Sequence, residues 1–114
     1  MRLVDLEPQF RRYEERDGHI YLVPVDSIEQ AQGIDFLCPK CFAENKGLIG
    51  THKVICWSSS RGVPDHARPG PGRWRLEGTG YSDLSLMEEP GKSRSVQLHG
   101  GCAWHGFVTN GEVT

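Results

Sequence analysis

No apolar run in the chain approaches the ~20 residues that a membrane-spanning helix requires, which argues against an integral α-helical membrane protein. Charge of one sign is also missing. With 13 Lys and Arg against 15 Asp and Glu, the formal net charge is −2, so no overall field favours a phosphate backbone and nucleic acid is not the expected partner. The first ten residues carry charges and no apolar stretch of the kind a secretory leader needs, which predicts a cytosolic chain. Internal repeats and low-complexity tracts are absent, and no composition shift marks a boundary, so residues 1–114 read as one domain with a modest core. What is abundant is punctuation. Fourteen glycines and seven prolines predict short strands joined by many turns.

The four cysteines carry the chemistry. Cys38 and Cys41 form a C-x-x-C pair, Cys56 and Cys102 stand alone, and His105 follows Cys102 by three residues. A C-x-x-C turn directs two thiolates at one point, which suits the tetrahedral S and N coordination of zinc. In a cytosolic chain that spacing favours a structural zinc over two disulfides or four buried thiols. Two ligand sets compete. Cys38, Cys41, Cys56 and Cys102 make an all-cysteine site and leave His105 free to act as a base. With His105 in place of Cys56, the site becomes three cysteines and a histidine, and Gly106 suits the turn of such a knuckle. His52, four residues before Cys56, reads as a ligand, a base or a hydrogen-bonded strand residue. A zinc deaminase is disfavoured because Leu37 precedes Cys38 where that motif has proline, and no His-x-Glu lies upstream.

Between these residues the pattern is that of short antiparallel strands with one short helix. Asp17-Gly18 and Asn110-Gly111 are hairpin turns, His19 to Val25 is a strand, and Asp26 or Ser27 caps a helix running through Gln32. His52 to Trp57 alternates, with Cys56 and Val54 on one face and Lys53, Ile55 and Trp57 on the other. Ser58 to Gly72 is a long irregular loop, of the kind that is often functional or mobile. Further strands are expected at Arg73 to Leu76, Tyr81 to Met87, Ser95 to Leu98 and Trp104 to Thr109, with a surface turn over Glu88 to Ser93. The fold class is thus mainly β, a small zinc-stabilised α+β domain.

A set of segments carries a resemblance: Phe36-Leu37-Cys38-Pro39-Lys40-Cys41, Gly50 to Trp57, Pro69 to Trp74, Gly78-Thr79-Gly80 with Asp83-Leu84, and Gly101-Cys102-Ala103-Trp104-His105-Gly106 through Glu112. Together they resemble a family of small, uncharacterised phage and bacterial zinc-binding proteins, whose bacterial members sit in operons for ubiquitin-like conjugation and are regarded as peptidases. The resemblance implies a serine-type hydrolase acting on protein or ubiquitin-like conjugates in the cytoplasm of a host bacterium. Its motif falls here on Cys38 and Cys41, on Ser95 before Val96, and on Cys102 and His105. A serine hydroxyl needs an imidazole within hydrogen-bond reach and a carboxylate to orient it. Ser95 as nucleophile, His105 as base and Asp83 as orienting carboxylate fill those roles, with Asp65 behind Asp83 and Gly100-Gly101 as an oxyanion donor. The rival reading is a non-catalytic zinc-ribbon module of phage origin that binds a host protein through its long loop.

Overall fold

A computed structural model describes residues 1–114. Strands take up 39% of the chain and helix 10%. Successive elements are β1 (Gln9–Arg16), β2 (His19–Pro24), β3 (Gly33–Leu37), α1 (Pro39–Asn45), β4 (Lys53–Trp57), β5 (Arg75–Glu77), β6 (Ser85–Glu89), β7 (Lys92–Ser93), β8 (Val96–Gln97), β9 (His105–Gly106), β10 (Val108–Thr109) and β11 (Glu112–Val113), after a 3-10 turn at Leu3–Leu6. All strand pairings named here are antiparallel. One four-stranded sheet has the order β2-β1-β3-β4; β5-β6-β7, β8-β9 and β10-β11 form smaller sheets.

The turns follow from backbone chemistry. Asp17 and Gly18 have φ of 52° and 77°, and Asn110 and Gly111 have 49° and 78°, the left-handed pair that joins two twisted strands in two residues. Gly111 has a second reason to be glycine, since a Cβ there would lie 2.1 Å from the Ser82 carbonyl oxygen. One helix forms, but not where the sequence pattern put it. Asp26 to Gln32 makes only turns, with Gln30 and Ala31 donating to the carbonyls three residues back. Burial of Ile28 and Ala31 and entry of Gly33 into β3 leave no room for further turns of helix. The helix instead starts at Pro39, whose fixed φ and missing N–H suit a first helical position, and the Phe42 N–H closes its first turn on the Cys38 carbonyl at 2.8 Å. Glu88 to Ser93 is likewise more than a surface turn, because β6 runs through Glu89 and pairs with β7.

The four-stranded sheet has two unlike faces. Phe10, Ile34, Phe36, Val54 and Cys56 point into a core shared with Leu3, Leu6, Leu76, Leu84, Leu86, Val96, Trp104, Val108 and Val113 from the smaller sheets and the amino-terminal turn. Tyr81 reaches under this core edge, stacking on Phe10 at 4.3 Å and accepting the Phe10 N–H. On the opposite face Tyr13 and Trp57 pack edge-to-face with Val63 and Ala67 from the long loop. Buried Asp35 belongs to this face. Its Oδ2 accepts from Arg11 Nε at 2.6 Å, while Lys53 Nζ stands 3.5 Å from an Oδ1 that has no hydrogen-bond partner.

The 58–72 loop is irregular but braced. Arg73 donates to the carbonyls of Ser58, Val63 and Pro64, and Trp57 Nε1 donates to Arg68 O at 2.9 Å. Arg61 reaches back to the carbonyls of Ile28 and Ala31. Guanidinium groups thus satisfy main-chain acceptors that no strand partner meets.

Candidate metal centre

Strand register decides which residues meet. The Cys38 N–H donates to the His52 carbonyl at 2.9 Å, one step beyond the β3-β4 ladder that pairs Leu37 with Lys53 and Ile34 with Cys56. Cys38 and His52 are therefore directly opposite on one face, about 5.5 Å apart at Cα in a pair of this kind. Cys56 lies four residues further along β4, roughly 13 Å away at strand rise. Cys41 comes from the first turn of α1, three residues after Cys38 and so on the same side of the helix. Cys102 arrives from far along the chain on the turn between β8 and β9. That turn is closed by Ala103 N–H to Gly100 O and Leu98 N–H to Trp104 O, both 2.9 Å. Lys40 Nζ donates to the Cys102 carbonyl at 2.8 Å and ties the turn to α1.

Cys38, Cys41, His52 and Cys102 each offer one ligand atom, and these four atoms lie within 4.8 Å of one another. They are close enough to hold a metal ion. Cys38 Sγ and Cys102 Sγ are 3.6 Å apart, and His52 Nε2 is 3.4 Å from Cys102 Sγ. With metal–sulfur and metal–nitrogen bonds of about 2.3 and 2.05 Å, the edges of a zinc tetrahedron are about 3.8 Å for S to S and about 3.6 Å for N to S. All four cysteines are free thiols, and 3.6 Å is far beyond the ~2.05 Å of a disulfide. The donor set and the spacing therefore fit a structural zinc ion.

Electrostatics point the same way. Burial pushes the Cys38 thiol up, against the pull of the Cys41 and Lys40 backbone N–H groups. Burial and the neighbouring sulfurs push Cys41 up to about 12, whereas the hydrogen bond from His52 brings Cys102 down to about 6. Three facing sulfurs resist sharing negative charge among themselves. A divalent cation removes that resistance by supplying the opposite charge at their centre.

The other residues singled out in the sequence fall elsewhere. Cys56 is fully buried opposite Ile34, and burial alone raises its thiol; it belongs to the core and not to the cluster. His105 does not replace it. Trp104 packs inward edge-on to Phe36, so the next residue of the strand, His105, points out to solvent. Gly106 is no knuckle turn either: it sits in β9, where a Cβ would come within 1.9 Å of the Thr114 carbonyl oxygen. Ser95 precedes β8, whose register sets Gln97 opposite His105, and no hydrogen bond joins Ser95 to His105. Asp83 is occupied locally. It accepts from Thr79 N–H, Thr79 Oγ1 and Gly80 N–H at 2.8 to 2.9 Å, and those donors hold its carboxyl below the usual range. Asp65 is exposed in the loop, and Gly100 and Gly101 form an exposed turn with φ of 135° and 53°. The sequence had named His52 among three possible roles; the missing signal was the register of β3 on β4, which no local pattern encodes.

No family model, curated protein or solved structure matches the chain. No helix is long and apolar enough to cross a membrane.

Proposed function

We propose that the protein is a zinc-clamped binding module, with Cys38, Cys41, His52 and Cys102 holding one zinc ion for structure. The single observation that carries this is the convergence of four donor atoms within 4.8 Å of one another, with two of the spacings, 3.6 Å between sulfurs and 3.4 Å between sulfur and nitrogen, close to the edges of a zinc tetrahedron. Four protein donors close the coordination sphere and leave no position for a reactive water, so the ion serves as a clamp. What it would clamp is the junction of β3, α1 and β4 with the turn that carries Cys102. The resemblance to small phage and bacterial zinc-binding proteins agrees with such a clamp. Its peptidase activity is not carried over, because no hydrogen bond joins Ser95, His105 and Asp83 and Asp83 is committed to its own turn. The partner class we favour is another protein.

Cobalt substitution tests the site. One ion per chain, with thiolate charge-transfer bands and intense tetrahedral d–d bands, is expected, and these should persist in Cys56→Ala and His105→Ala. His52→Ala should change the spectrum and weaken retention of the metal. Loss of the bands in His105→Ala with retention in His52→Ala would overturn the assignment.

A further inference from the structure

Two strand edges, each engaged at one point by Trp74 and otherwise without a strand partner, face one cavity. Because Cys38 and His52 form a hydrogen-bonded pair, alternation along β4 turns the N–H and C=O of Lys53, Ile55 and Trp57 away from β3. The Trp57 carbonyl confirms this by accepting the Trp74 N–H at 3.1 Å. Beyond β4 no further strand follows, and only the parallel bridge of Trp74 with Ser58 caps the end of this edge, leaving the main chain of Ile55 without a strand partner. On β8 the Leu98 N–H to Trp104 bond fixes the same alternation, so Ser95 and Gln97 direct their main-chain groups away from β9; the Ser95 carbonyl accepts Trp74 Nε1 at 3.1 Å. Beyond β8 on that side there is no strand. A cavity of about 260 Å³ lies between these edges, lined by Val54 and Ile55 on one wall, Arg94 to His99 on the other and the Pro69–Gly72 rim, with Trp74 closing the end where it bonds to both walls.

Arg94 and His99 line the cavity, and no carboxylate does, in a chain that is acidic overall. Arg94 forms an exposed ion pair with Glu88 at 3.9 Å, too long for a hydrogen bond, so its guanidinium N–H donors are not committed to that partner. We infer that the slot takes an extended acidic peptide segment of another protein, which adds as a strand against the Ile55 and Gln97 edges. Main-chain groups on both walls supply the pairing, and the Arg94 guanidinium sets the preference for negative charge, with the His99 ring as a further polar group beside it. The inference names the ligand of the binding module proposed above and rests on that reading. Since the main chain does the pairing, the slot accepts a generic extended peptide of the right charge.

The test uses zinc-loaded protein and a fluorescein-labelled heptapeptide alternating valine and glutamate, read by anisotropy and by amide shifts. Saturable binding with the largest shifts at Ile55 and Gln97 is expected. The lysine analogue and an analogue N-methylated at alternate residues should each bind about tenfold more weakly or worse, the loss of a good hydrogen bond or charge contact. Arg94→Glu, at an exposed side chain and with its fold checked by retention of zinc and an unchanged circular dichroism spectrum, should reverse the order of the glutamate and lysine peptides. Absence of binding to folded, zinc-loaded protein overturns the slot while leaving the clamp in place, and so does equal binding of the N-methylated peptide or a shift pattern centred elsewhere. Failure to retain zinc strikes the clamp instead.

Discussion

Two irregular regions of this protein are organised by different chemistry. The chain around Cys38, Cys41, His52 and Cys102 converges four soft donors on one point, while the 58–72 loop is held by guanidinium groups wrapped in main-chain carbonyls. The first device is concentrated, so removing one donor threatens the whole junction. The second is distributed: each arginine bond is replaceable by water at modest cost, and Tyr13, Trp57, Val63 and Ala67 add apolar packing beneath the loop.

The sharpest break is metal removal. In small zinc domains about 10 kcal/mol or more of binding free energy is coupled to folding, comparable with the total stability of a domain. Chelation, or Cys38→Ser, should therefore abolish the cooperative thermal transition seen by circular dichroism in the zinc-loaded protein. An unchanged transition would show that the cluster is not a clamp.

A smaller loss, still large, is expected on the loop-covered face of the sheet. Arg11→Met strands the carboxylate of Asp35, only 2% exposed, with Lys53 as its remaining cation. Breaking such a buried pair from one side costs about 3–5 kcal/mol. Urea unfolding should register it, and the bound metal should stay at one ion per chain.

Arg73→Ala sharpens the contrast directly. Three carbonyls lose their donor, for a cost of about 1–3 kcal/mol. Limited proteolysis should then cut within 58–72 while cobalt spectra remain unchanged. Coupled loss of both would mean the two regions form one cooperative unit.

The smallest effect concerns a third loop, closed by Asp83 on Thr79 and Gly80. Its carboxyl is depressed in the fold, so its stabilisation is present above the ordinary aspartate range and is lost as pH falls through the lowered value. The difference in unfolding midpoint between the native chain and Asp83→Asn should be greatest near neutrality and close on acidification. A gap independent of pH would assign Asp83 a role that does not depend on its charge.

Much of the fold is legible in local pattern. Asp17-Gly18 and Asn110-Gly111 give their hairpins because left-handed φ is a property of those residues, and alternation in 52–57 places Cys56 inward because period two is a property of strands. The helix is a different case. Capping residues at 26–27 carried a plausible start, but burial of Ile28 and Ala31 claimed that segment, and Pro39 opened the helix within the cysteine pair instead. The long loop was visible in its composition, yet its bracing was not, because Arg61 and Arg73 act on carbonyls whose positions depend on the fold.

By itself the sequence determined the mainly β architecture with one helix, the principal turns, and three of the four residues that converge closely enough to hold a metal, Cys38, Cys41 and Cys102. Only the tertiary structure decided the fourth. Cys56 and His105 were chemically as suitable as His52, and ligand type alone could not separate them. The β3-β4 register sets His52 opposite Cys38 and carries Cys56 about four strand residues away, while inward packing of Trp104 turns His105 to solvent. Those choices are made by pairing between distant segments, and local spacing does not specify them.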